Sequence, residues 1–183
     1  MGGRRPQGES GFTIAEVLIA MMLIAVAALG VAEVFGAALQ SARAARTRTD
    51  ATRLASQKME QLLSLTWRFD PAGLGLRDSD TTSDVSYDPP QTGGSGLGAT
   101  PVGTLDANMP ACADFVDAAG RSVGRGAIVP STAVYVRRWR VAPLGSDPLD
   151  TVVIQVLVRA VSAASASAAA DVVLTTVRTR KAA

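Results

Sequence analysis

The stretch GFTIAEVLIAMMLIAVAALGVAEVF, residues 11–35, decides how the rest of the chain is read. Sixteen residues without a polar side chain separate Glu16 from Glu33. As a helix they cover about 24 Å, short of a hydrocarbon core of about 30 Å. Continuing through residues 34–39 supplies the missing length but takes in Glu33. The segment is therefore either a membrane helix carrying two carboxylates or the apolar core of a signal peptide. Glu16 is the residue to explain, because a carboxylate among lipid-facing side chains is costly and needs a counter-charge.

A second helical pattern follows without a break. Arg43, Arg46, Asp50, Arg53, Gln57, Glu60 and Ser64 recur at spacings of three and four. Ala51, Leu54, Ala55, Met59, Leu62 and Leu65 fall on the opposite side, as in an amphipathic helix packed on a core. Neither proline nor glycine occurs between Gly36 and Pro71. One helix over residues 12–67, roughly 80 Å long, is predicted, with residues 12–39 as its membrane segment.

Composition changes after residue 69. Residues 70–111 are rich in Asp, Gly, Pro, Ser and Thr and read as an irregular loop. Three strand-like runs come next, at 132–142, 151–161 and 171–180. In the second, Val152, Ile154, Val156 and Val158 alternate onto one face. The segments 143–150 and 162–170 separate the runs, so residues 112–183 are expected to form an antiparallel β-meander. The apolar face of such a small sheet needs cover, and the amphipathic stripe of the helix supplies it. The expected class is α+β.

The chain has 183 residues, 18 basic and 16 acidic, so net charge alone does not suggest nucleic-acid binding. Histidine is absent and Cys112 is the single cysteine, which removes the commonest general base and any intramolecular disulfide. No phosphate-binding loop is present. Nothing in the composition favours catalysis or calls for a cofactor.

For residues 1–44, one reading is a secretory signal: Arg4 and Arg5, an apolar core, then cleavage at Ala42-Arg43-Ala44. It would leave a secreted protein or enzyme beginning near Ala45. Glu16 inside the apolar core argues against it. The other reading rests on Gly11, Phe12, Thr13 and Glu16 behind the basic leader of residues 1–11. This combination resembles the type IV prepilin and pseudopilin signal, in which a Gly-Phe-Thr is followed by a Glu four residues after the Phe and by an apolar helix. The resemblance is strong over about 30 residues, and residues up to about 66 are similar to minor members.

The resemblance implies cleavage between Gly11 and Phe12 by a membrane prepilin peptidase, then N-methylation of the Phe12 amine. It implies that Glu16 acts in assembly by meeting the Phe12 amine of a neighbouring subunit, which sets the register of packed helices. A type IV pilin-like fold follows, without enzymatic activity, in a minor subunit of a pilus or type II secretion pseudopilus. Its partners would be other pilin or pseudopilin subunits, the peptidase, the inner-membrane assembly platform and membrane lipid, with an external ATPase as energy source. The chain would be single-pass, its N-terminus cytoplasmic and its C-terminal domain extracytoplasmic. Charge counting does not support that orientation, since Arg4 and Arg5 precede the segment while Arg43, Arg46 and Arg48 follow it.

Four weaker features stand beside the motif. Glu33 reads as a marker of the outer membrane interface, with a contact to Arg43 or Arg46 of another helix as the alternative. Asp78, Asp80 and Asp84 are spaced like the start of a calcium loop, but the mid-loop glycine is missing and Pro89 stands where the closing Glu belongs. Arg137, Arg138 and Arg140 interleave with Tyr135 and Trp139, a candidate nucleic-acid contact for a filament-borne DNA-binding or adhesin module. The alternative there is a half-buried strand with solvent-facing arginines and Trp139 packed on the helix. Cys112 reads as a small buried hydrophobe.

Overall fold

The computed structural model describes residues 13–67, 84–87, 96–161 and 171–180. The chain divides into two compact units, Met1–Arg43 and Ala44–Ala183. A helix, α1 (Ile14–Ser64), begins in the first and ends in the second.

In the first unit every described side chain is exposed. Residues 13–43 are rich in Ala and Leu and contain no proline, so intrinsic propensity favours the helix. A Cβ added at Gly30 or Gly36 would meet nothing within 4 Å, so neither glycine is required by packing within the chain. By length and composition α1 can cross a membrane, and its apolar window has none of its surface buried inside the molecule.

In the second unit α1 buries the face its sequence marks: Ala51, Leu54, Ala55, Met59 and Leu62, with Leu65 just beyond the helix. Lys58 lies on the same face and is only 1% exposed, a position the periodicity places among apolar neighbours. The helix end is closed by side chains: Ser64 Oγ donates to Gln61 O (2.7 Å) and Arg178 Nη1 donates to Leu65 O (2.7 Å). Such donors satisfy carbonyls that a helix terminus leaves unpaired.

Among the described residues, five antiparallel strands form one sheet: β1 (Ala113–Val116), β2 (Ser122–Arg125), β3 (Tyr135–Leu144), β4 (Asp147–Ala160) and β5 (Val172–Thr179), in the order β2-β1-β3-β4-β5. Trp139 pairs with Val156, and Val156 with Leu174, which fixes the register across the three long strands. Tyr135, Trp139, Val141, Val152, Ile154, Val156, Val158 and Val172 join the buried face of α1 in a single apolar core. Helix and strands are each apolar on one side only, and this layering is what buries both.

The three predicted runs are β3, β4 and β5, and the class is α+β as expected. Two differences have physical causes. Residues 143–150 read as a separator, yet β3 runs to Leu144 and β4 starts at Asp147, with Gly145 and Ser146 as a two-residue loop. Pro143 is tolerated because β1 pairs β3 only as far as Arg138, so the ladder on that side has already ended. The second difference is the β1–β2 hairpin, which the sequence pattern does not announce. Each strand has four residues without clear alternation, and β1 gains its place by pairing with β3.

Gly124 in β2 is required by packing. A Cβ there would lie 2.5 Å from Pro130 Cγ, and Phe115 Cδ2 is 3.8 Å away. The loop after β2 thus presses its proline onto the strand at Gly124, which pairs with the fully inaccessible Phe115 of β1.

Between the helix and the sheet lies a buried ionic cluster. Asp114 Oδ1 accepts from Arg137 Nε (2.7 Å) and Oδ2 from Arg137 Nη2 (2.8 Å), a bidentate pair directly opposite in the β1–β3 register. Lys58 Nζ is 2.7 Å from Asp114 Oδ2 and lies 4.6 Å from the centre of the Trp139 ring. Charges buried this deeply persist only when paired and hydrogen-bonded.

Candidate functional site

The candidate site named by the sequence is the start of α1. Gly11 and Phe12, the expected cleavage and methylation positions, lie outside the described residues. Thr13 is the N-cap, and Glu16 occupies the third helical position. Glu16 Oε2 accepts from the Thr13 backbone N–H (3.0 Å) and from Thr13 Oγ1 (3.1 Å). In return the Glu16 backbone N–H donates to Thr13 Oγ1 (3.3 Å). This reciprocal arrangement is a capping box, and it satisfies N–H groups that the first helical turn leaves without partners. Among the described residues, Glu16 Oε1 receives no hydrogen bond.

Thr13 is a capping residue that the sequence presents only as part of the motif. The signal is there: Thr-x-x-Glu ahead of an apolar run is itself a helix-start pattern. Glu16 therefore has a role within its own chain, holding the first turn of the helix. Glu33 sits on the exposed surface of α1.

The other candidates separate once the fold is known. Asp84 Oδ1 accepts from the Ser86 backbone N–H (2.9 Å) and from Ser86 Oγ, a local turn that engages one carboxylate oxygen. Asp78 and Asp80 lie outside the described residues, among which no cluster of three or more His, Cys, Asp or Glu side chains could hold a metal ion.

Arg137, Arg138 and Arg140 do not share a face. Arg137 points with Trp139 toward the helix and is buried, so the expectation of solvent-facing arginines fails there. The reason lies in the alternation itself: residues two apart on a strand share a side, and Asp114 supplies the counter-charge. Arg138 and Arg140 lie on the opposite side, half-buried. Arg138 donates to Asn108 Oδ1 (2.8 Å) and Leu105 O (2.9 Å). Burial, with nearby Arg159 adding repulsion, holds its guanidinium below the usual arginine range. Trp139 is buried against the helix.

Cys112 is buried, and burial pushes its thiol up to about 11, with Asp84 adding to the effect. A thiol held protonated in this way is a poor nucleophile.

Residues 7–32 match the family model of the prokaryotic N-terminal methylation motif. The match covers the leader from residue 7, the Gly11-Phe12 junction, the capping box and the first half of the apolar segment. Neither the curated proteins nor the solved structures gave a match to the chain. The methylation motif at residues 7–32, the apolar helix it opens and the antiparallel sheet that follows make the chain similar to type IV pilin-like proteins and support that family.

Proposed function

We propose that this protein is a minor structural subunit of a type IV pilus or a type II secretion pseudopilus. It is held in the inner membrane by residues 12–39, processed between Gly11 and Phe12, and assembled through its N-terminal helix. The observation that carries this reading is the methylation motif at residues 7–32 placed at the head of a helix apolar enough to cross a membrane. Proteins of this family are structural rather than enzymatic.

The chemistry of assembly follows from charge. Cleavage after Gly11 converts the Phe12 amide nitrogen into a cationic amine, which stays cationic after N-methylation. A cation and the Glu16 carboxylate are each costly in lipid, and pairing them within a packed bundle neutralises both. The capping box keeps Glu16 at the first helical turn, with Oε2 occupied by Thr13 and Oε1 able to accept from a neighbouring subunit's amine. Such a pair sets axial register, as buried polar groups do in helical bundles. The partners in this reading are other pilin or pseudopilin subunits, the prepilin peptidase and the assembly platform. The N-terminus is cytoplasmic and Ala44–Ala183 extracytoplasmic. The uninterrupted helix, with no proline between Phe12 and Pro71, favours a minor subunit.

Intact mass of the protein from a membrane fraction tests the reading. A mature chain beginning at methylated Phe12 is expected. A chain beginning near Ala45 would end the proposal in favour of an ordinary signal peptide.

A further inference from the structure

Lys58 makes more connections than an ion pair needs. Its ammonium donates to Val85 O (2.7 Å) and to Gln61 Oε1 (2.6 Å) while also touching Asp114 Oδ2 (2.7 Å). These acceptors belong to three separate parts of the Ala44–Ala183 unit: residues 84–87, the helix α1 and strand β1. Gln61 is a second relay, since its Nε2 donates to Tyr87 O (3.5 Å) while its Oε1 is held by Lys58. The segment 84–87 is seated further by Val85, which is buried, and by the Arg125 guanidinium stacked 3.3 Å from the Tyr87 ring centre. Val85 also forms part of the wall of a cavity of about 350 Å³, shared with Leu62, Leu65, Leu97 and Trp139.

We propose that Lys58 is a coupling pin: a single ammonium joins the seating of residues 84–87 to the docking of α1 on β1, so that the two happen as one cooperative step. An apolar residue at this point of the helix would pack against Trp139 but would leave Val85 O without its donor. Arginine would carry the charge in a planar fork, whereas lysine's compact ammonium serves acceptors in three directions. A lysine on the apolar face of an amphipathic helix is thus explained by what it links. A burial argument alone would have placed leucine or methionine there.

Hydrogen exchange followed by mass spectrometry on the full chain in detergent micelles tests the pin. In Lys58→Met, peptides covering 84–87 and those covering 113–116 are each expected to exchange about tenfold faster or more, as loss of charge-assisted bonds implies. In Gln61→Ala the acceleration should be confined to 84–87. A triple variant guards against simple unfolding of the single one: Lys58→Met combined with Asp114→Leu and Arg137→Met removes every charge of the cluster. It should recover parental exchange at 113–116 while 84–87 stays fast. Unchanged exchange at 84–87 in Lys58→Met, or recovery of both regions in the triple variant, would overturn the proposal.

Discussion

Asp114 on β1 holds Arg137 on β3 through two parallel hydrogen bonds, both side chains buried beneath the helix that packs on them. Asp114→Ala would remove the only carboxylate that the described residues place against both Lys58 and Arg137. Stripping the anion from a buried ionic group typically costs about 3–5 kcal/mol. The Ala44–Ala183 unit should therefore lose most of its stability, read as a lowered urea midpoint by the fluorescence of Trp67 and Trp139. A loss below about 1 kcal/mol would mean that the cluster is better solvated than its burial indicates.

In the proposed function, Glu16→Val should leave the expected cleavage at Gly11 intact while reducing the amount of protein in sheared filaments. Thr13→Val should act in the same direction, because the hydroxyl that returns a bond to the Glu16 backbone is lost, and Thr13→Ser should restore incorporation. Immunoblots of the filament and membrane fractions measure both. Normal incorporation of Glu16→Val would remove the register argument.

Gly124→Ala places a methyl group against the Pro130 ring. Overpacking of this kind costs about 1–3 kcal/mol. Adding Pro130→Ala to the same chain should recover most of the loss, since the Pro130 ring is what the new methyl meets. Thermal unfolding of the two variants side by side decides it.

Cys112 should resist alkylation in the folded protein. With its thiol pushed from 9.0 to about 11, the folded state holds about a hundredfold less thiolate near neutral pH than an unperturbed cysteine would. The sign for stability follows from the raised value. The contribution is fully present below pH 9 and is lost as pH rises through about 11, because the unfolded chain releases its proton first. Iodoacetamide labelling with and without denaturant checks the first statement, and unfolding between pH 8 and 11 checks the second. Rapid labelling of the native protein would contradict the burial.

The N-terminal motif, the membrane-length apolar run and the buried face of α1 are legible because each is written in consecutive residues. Ala51, Leu54, Ala55, Met59, Leu62 and Leu65 repeat at helical period, and all six are buried. The same holds for β4, whose alternation of valines and isoleucine orders its inward side. The capping box is readable too, as Thr-x-x-Glu, though the processing signal that shares those residues hides it. Residues 143–150 mislead, because two prolines and a Gly-Ser read as a break while the hairpin tip needs no ladder partner on the outer side.

What the sequence by itself determined is thus local: a helix with a processing motif at its head, one apolar face, and three strands to cover it. The tertiary structure alone decided which charges meet. Lys58, Asp114 and Arg137 are far apart in the chain and belong to three elements; Lys58 stands out of place on an apolar helix face, and Asp114 and Arg137 look like ordinary surface residues, until the β1–β3 register and the docking of α1 bring them together. The four-residue strands β1 and β2 are of the same kind, since their pairing partner, and not their own pattern, makes them strands. Periodicity records which side of an element is buried; only the folded chain specifies what lies opposite, and for a buried charge that neighbour decides whether it stabilises or disrupts.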